Sequence, residues 1–256
     1  SIRLRNWVVK MLSQKLHTSL KRTPRFSKVK ISPSDEAFLV IKNLKKKDER
    51  NKKNILNGIS LSIDQNEIVA ITGEENSGKS LILKIIAGLL KEDGGSIEIE
   101  DEVITNFDSK KRNEYLKKNI GFLSYPIFLK ENLSIMDNIL IPNYFLKSYI
   151  DIEEDRLKSL LDAFDLTDLI NQKATNLTSD QKRKINVVRA LINEPKLILC
   201  DEPMLENEDG VFENIMKNFR IARDEFGATV IVATKDYNFA KLADQVIYLE
   251  DGKVRY

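Results

Sequence analysis

Gly73-Glu74-Glu75-Asn76-Ser77-Gly78-Lys79-Ser80 matches the pattern G-x-x-x-x-G-K-[ST] without a gap. Upstream, residues 67–72 read Glu-Ile-Val-Ala-Ile-Thr, a short β-branched run with the character of a buried strand. Downstream, residues 81–90 carry an apolar helical pattern. A strand, a glycine-bearing loop and a helix in that order are the setting in which this pattern binds phosphate. Backbone N–H groups wrap the anion, the helix N-terminus faces its negative charge, and a lysine and a metal-binding hydroxyl complete the cradle. Lys79 then takes the β/γ-phosphate role and Ser80 the Mg²⁺ role. The rival, a surface turn with a chance lysine, loses ground to the flanking strand and helix.

The chain has 256 residues, 42% hydrophobic and 31% charged, enough for one large domain or two lobes sharing a core. No apolar run reaches the roughly 18 residues that a membrane helix requires, so the expectation is a soluble chain or one held peripherally at a membrane. One cysteine, Cys200, excludes an internal disulfide framework and a cysteine metal site, and fits a reducing compartment. It sits in an apolar run and reads as a small core residue rather than a reactive thiol. One histidine, His17, excludes a His-rich metal centre.

The net charge of +2 hides an asymmetry. Residues 1–30 hold nine basic side chains and no acidic one, which leaves residues 31–256 at −7. Residues 1–36 are therefore read as a separate basic amphipathic arm and linker. Within it Leu4, Trp7, Val8, Met11 and Leu12 fall at helical spacing beside Arg3 and Lys10, a pattern suited to an anionic membrane surface. A targeting presequence and a merely solvated extension stay open. The body is placed at 37–256, with a helical lobe inserted at about 125–193.

Strand-like runs at 38–42, 55–63, 96–100 and 120–123 precede three amphipathic helices at 134–146, 152–164 and 179–192. The run 45–53 reads as a charged turn. Strand character returns at 196–200, 229–233 and 245–249 with helices between, which argues for a mainly parallel sheet covered on both faces. The run 196–200 ends in Asp201 and Glu202. On a parallel sheet that end faces the crevice of the phosphate loop, so Asp201 can reach the Mg²⁺ shell and Glu202 can polarise a water.

Here the chain resembles an ABC-type ATPase subunit, in the lipoprotein-release, macrolide-export and cell-division branch (LolD, MacB, FtsE). The resemblance covers about 37–256. It rests on residues 73–80, Ile120-Gly121-Phe122, the segment 132–139, Arg189-Ala190-Leu191, Asp201-Glu202-Pro203 and the ending 243–252. It implies an α/β P-loop cassette with a parallel core, a small antiparallel part and an inserted helical subdomain. It implies ATP and Mg²⁺ as cofactors, held by Gly73, Glu74, Glu75, Asn76, Ser77, Gly78, Lys79, Ser80 and Leu81, with Ser80 and Asp201 on the metal and Glu202 as the catalytic group. It also implies a transmembrane permease-type partner, contacted through the segment after Tyr125, and a location on the cytoplasmic face of the cell membrane. No nucleic-acid partner is expected.

In that family two subunits clasp each ATP between one phosphate loop and the other's LSGGQ signature. Here the signature reads Leu177-Thr178-Ser179-Asp180-Gln181, which loses both glycines and brings a carboxylate toward the γ-phosphate. Alternatively, Asp180 caps its own helix. By register, the metal-contacting glutamine becomes Tyr125 and the γ-phosphate histidine becomes Lys235. The adenine-stacking aromatic falls near Asp48, where none occurs, and the dimer-contact aspartate appears as Glu208. Glu74 and Glu75 add negative charge to the loop, whereas Asn76 tolerates the left-handed backbone a glycine would use. Losing one preorganised donor typically costs about 10²–10³ in rate, so hydrolysis is expected to be weak or partner-dependent. A heterodimer is favoured over a homodimer, and a non-catalytic scaffold is the alternative reading.

Overall fold

The computed structural model describes residues 37–48, 53–144, 154–203 and 210–255. The basic arm and Glu208 lie outside these residues. In chain order the first elements are β1 (Ala37–Lys47), β2 (Asn54–Asp64), β3 (Ile68–Gly73), α1 (Lys79–Ile86), β4 (Gly94–Ile99), β5 (Glu102–Val103) and α2 (Ser109–Asn119). There follow β6 (Ile120–Ser124), α3 (Ile135–Tyr144), α4 (Glu154–Ala163), α5 (Ser179–Leu191), β7 (Leu197–Asp201) and α6 (Val211–Asp224). The chain closes with β8 (Thr229–Ala233), α7 (Tyr237–Ala240), β9 (Gln245–Glu250) and β10 (Lys253–Arg255).

The strands form two sheets, a four-stranded one in the order β2-β1-β4-β5 and a six-stranded one in the order β10-β9-β3-β8-β7-β6. All pairings in the first are antiparallel. In the second only β10 on β9 is antiparallel. The parallel strands are apolar on both faces because both are covered. Their alternation sends Leu197, Leu199, Ile231, Ala233, Ile247 and Leu249 into one core, shared with α1 and the antiparallel sheet. Ile198, Cys200, Val230 and Val232 point the other way, into a second core with α3, α4, α5 and α6. Cys200 is fully buried, and burial pushes its thiol pKa up, as a core residue requires.

α1 is held by this arrangement rather than by its length. Its eight residues bury Ile82, Leu83, Ile85 and Ile86, each contributing about 1.5–3 kcal/mol of apolar burial. It stops before Gly88, which adopts φ +71°, so the helix is shorter than its apolar run at 81–90 suggested.

The charged run after residue 45 is likewise strand as far as Lys47, not turn. There β1 stays paired with β2 across register shifts at Leu44/Lys45 and Lys46/Lys47, Lys46 bonds Asp93 at 3.2 Å, and the Lys47 N–H donates to Asp93 Oδ2 at 2.7 Å. An antiparallel strand with one solvated face can carry lysines without cost to its ladder.

Because β3, β7 and β8 run parallel, their C-terminal ends share one edge. The loop after β3, the carboxylates after β7 and the turn after β8 therefore converge there.

Candidate functional site

The loop between β3 and α1 is shaped by its backbone. Gly73 has φ +148°, Asn76 φ +63° and Gly78 φ +101°, and the Ser77 N–H donates to the Glu74 carbonyl at 3.2 Å. A Cβ on Gly73 would lie 2.1 Å from the Leu249 carbonyl oxygen of the neighbouring strand, so only glycine fits. Asn76 takes the left-handed conformation its side chain tolerates. Gly78 then caps α1 without a side-chain bond, and no acidic residue occupies the first turn. The first-turn N–H groups of a helix have no intrahelical partner, and the positive end of the helix dipole suits an anion there.

Lys79 is 5% exposed and lies inside the loop. Its Nζ donates to the Gly73 carbonyl at 2.9 Å, the Glu74 carbonyl at 2.6 Å and Ser77 Oγ at 3.4 Å. Burial pulls its pKa below the ordinary lysine value, while Glu202, Glu75 and Asp201 oppose that shift. Ser80 Oγ donates to Asp201 Oδ1 at 2.6 Å across the gap between α1 and β7. The other oxygen, Asp201 Oδ2, faces Lys84 Nζ at 3.8 Å. A hydroxyl and a carboxylate this close are hard oxygen donors of the kind Mg²⁺ takes from a protein, the rest of its shell coming from water and phosphate. Among the described residues no cluster of three or more His, Cys, Asp or Glu forms a self-sufficient metal cage.

Glu202 follows with φ +48°. Its N–H donates to the Ala233 carbonyl at 2.9 Å, and its Oε2 accepts the Lys235 N–H at 3.3 Å. Burial raises the carboxyl's pKa, against the opposing pull of the Lys235 N–H and the Lys79 charge. A carboxylate tethered this way is suited to orienting and polarising a water.

Lys79, Ser80 and Glu202 line one cavity of about 650 Å³, together with Glu75, Asn76, Gly78 and Leu81. Lys235 is on that lining, where its register placed it. Three further lining residues were not singled out in the sequence as site residues: Lys84, Ile55 and Leu90. Lys84 was legible, since it stands four residues after Ser80 on the same helix face.

The structure turns other groups away. Tyr125 packs against the second core, near Cys200, Arg183 and Asn186, and burial raises its phenol pKa. It does not line the cavity. Thr178 to Gln181 lie at the start of α5, also off the cavity. Thr178 Oγ1 accepts the Gln181 N–H at 3.2 Å, and Gln181 Oε1 accepts the Thr178 N–H at 2.9 Å, a reciprocal capping box. The cap is therefore Thr178, not Asp180. Asp180 sits in the first turn and pairs with Lys184 at 3.6 Å, which also holds Asp165 at 3.2 Å.

Comparison with known proteins agrees with this geometry. A family model described as "ABC transporter" matches residues 56–205. The lipoprotein-releasing system ATP-binding protein LolD of Bacteroides thetaiotaomicron is 31% identical over 201 residues, 78% of this chain and 92% of that protein. The ABC transporter ATP-binding protein MJ0796 of Methanocaldococcus jannaschii is 32% identical over 203 residues, 78% of this chain and 86% of that one. Among solved structures, the dimeric post-hydrolysis state of the MJ0796 cassette bound to ADP and Pi has a TM-score of 0.71 at 29% identity, covering 85% of this chain and 97% of its own. The matched stretch spans more than half of the chain and contains the loop at 73–80 together with Asp201 and Glu202. The chain therefore belongs to the ABC transporter family, as an ATP-binding subunit of the LolD and MacB type.

Proposed function

We propose that this subunit binds ATP with Mg²⁺ over residues 73–80 and passes its nucleotide state to a separate transmembrane permease-type subunit, while its own hydrolysis is weak or depends on a partner subunit. The observation that carries this reading is a division within the site. Lys79, Ser80 and Glu202 line one cavity and Ser80 bonds Asp201, whereas Tyr125, at the position of the metal-contacting glutamine, packs into the second core, and the signature segment, without either glycine, closes its own helix cap through Thr178 and Gln181.

In this reading Lys79 exchanges its loop carbonyls for phosphate oxygens, and Ser80 and Asp201 hold the metal. Mg²⁺ neutralises charge on the phosphates when bound. Glu202 orients the attacking water, and the Lys235 ammonium stands in for a histidine on the γ-phosphate. Tyr125 supplies no ligand to the metal. In a dimer, Asp180 would bring a carboxylate near the other subunit's phosphate, and Gln181 is already committed to the helix cap.

A heterodimer follows most economically, with an intact signature on the partner completing the site over residues 73–80. The body at 37–256 would sit peripherally on the inner face of the cell membrane, coupled through the segment after Tyr125. The arm at 1–36 would rest on anionic lipid.

Turnover by the purified chain tests the proposal. The expected result is hydrolysis far below an ordinary transporter rate, rising when a partner with an intact signature is added. An ordinary rate from the chain alone, abolished in Glu202→Gln, would overturn it.

A further inference from the structure

Lys84 lines the nucleotide cavity and has no phosphate assigned to it. It belongs to the last turn of α1, where a lysine ordinarily answers the negative end of the helix dipole. Its head goes the other way. Side chains of a helix lean toward its N-terminus and residues four apart share a face, so Lys84 reaches back toward Ser80. There its Nζ stands 3.8 Å from Asp201 Oδ2, while Ser80 Oγ donates to Asp201 Oδ1 at 2.6 Å. The two oxygens of the proposed metal carboxylate are thus divided between a hydroxyl and an ammonium. Lys79 is engaged differently, with its Nζ on the Gly73 and Glu74 carbonyls.

The root and the head of Lys84 differ in freedom. The Leu89 and Leu90 N–H groups donate to the Lys84 carbonyl at 2.9 and 3.2 Å, and the adjacent Leu83 and Ile85 are fully buried, so the backbone is fixed. The Lys84 side chain is 44% exposed, whereas that of Asp201 is 15% exposed. Asp201 ends β7, paired with Ser124 on one side and Ala233 on the other. An ammonium on a flexible four-carbon stem can withdraw into water, and the carboxylate cannot follow it.

A pair this exposed adds little to stability. Its effect falls on a second cation. Mg²⁺ held through Ser80 and Asp201 would share one carboxylate with Lys84, and two positive charges a few ångströms apart oppose each other.

We propose that the Lys84 ammonium is a resident counter-ion of Asp201 that withdraws when the metal is bound, so that Lys84 sets how much free Mg²⁺ the site needs before Mg²⁺ strengthens its hold on ATP. This rests on the reading of residues 73–80 with Asp201 as an ATP and Mg²⁺ site.

The test is calorimetric titration of the full chain with ATP across a series of free Mg²⁺ concentrations, from excess chelator upward. It is run on the parent, on Lys84→Met and Lys84→Gln, which drop the charge, and on Lys84→Arg, which keeps it. A melting temperature first shows that each variant is folded. The Mg²⁺ concentration giving half of the metal's effect on ATP affinity is expected to fall about tenfold in Lys84→Met and Lys84→Gln, and to stay near the parent value in Lys84→Arg. An unchanged concentration in the two neutral variants would overturn the proposal. So would a loss of ATP affinity in them that is equal with chelator and with saturating Mg²⁺, the mark of a phosphate ligand. If the parent binds ATP with no response to Mg²⁺, the metal reading of Ser80 and Asp201 fails and this proposal with it; if it binds no ATP, the cradle reading fails as well.

Discussion

Replacing Ser80 by alanine removes a single bond of known geometry, the 2.6 Å contact to Asp201 Oδ1. The Asp201 side chain is 15% exposed, so water replaces the lost hydroxyl poorly. A hydrogen bond to a charged group contributes about 1.5–3 kcal/mol. Alanine's better helix preference returns about 0.5 kcal/mol. Lys84 remains at 3.8 Å from the second oxygen and limits the damage further. The net loss is about 1–2.5 kcal/mol, which for a chain of this size lowers the melting temperature by about 2–10 °C. Ser80→Thr keeps the hydroxyl and should melt close to the parent. The same alanine removes the proposed metal ligand, so Mg²⁺ should no longer strengthen ATP binding. Scanning fluorimetry without metal, followed by ATP titration with and without Mg²⁺, reads both effects. If Ser80→Ala melts within about 1 °C of the parent and keeps its Mg²⁺ dependence, the Ser80–Asp201 pair has neither the structural nor the metal role given to it.

Gly73→Ala forces a Cβ to 2.1 Å from the Leu249 carbonyl oxygen, so the loop must shift; ATP affinity should fall about 100-fold or more, and parent-like titration would show that the loop does not depend on that approach. Thr178→Ala removes the α5 cap, which should cost about 1 kcal/mol, seen in denaturant unfolding, without altering ATP affinity of the chain alone. A change in that affinity would place the cap inside the site. Glu202 has a folded-state pKa raised by burial, so between the ordinary glutamate value and the raised one the folded state binds more protons than the unfolded state. Stability therefore falls as pH rises through that window, and Glu202→Gln, which does not titrate, should gain melting temperature over the parent as pH rises above the ordinary glutamate range. A difference independent of pH would contradict the raised pKa.

The parallel sheet was readable because both of its faces are buried, so β7 and β8 are unbroken apolar runs whose alternation needs no solvent face. The loop at 73–80 was readable for a different reason: its glycines and Asn76 are dictated by backbone angles that other residues adopt only with strain. The limits of β1 were hidden because Lys45 to Lys47 are strand only through their pairing with β2 and their bonds to Asp93, which are distant in sequence.

The helix cap at Thr178 was obscured by the acidic Asp180 beside it. Only geometry shows that the hydroxyl and Gln181 close the cap while Asp180 answers Lys184. Tyr125 could be placed by register from Ile120-Gly121-Phe122, but its turn into the second core depends on packing with α5 that no local pattern encodes.

Equilibrium titration of the purified chain with ATP, with and without Mg²⁺ and beside Lys79→Ala, addresses the nucleotide cradle most directly. Lys79 is the one cation folded into the loop between the Gly73 and Glu74 carbonyls and Ser77 among the described residues. Binding should be measurable, should strengthen with Mg²⁺ and should be lost in Lys79→Ala. Absence of binding, or binding that survives Lys79→Ala unchanged, would contradict it.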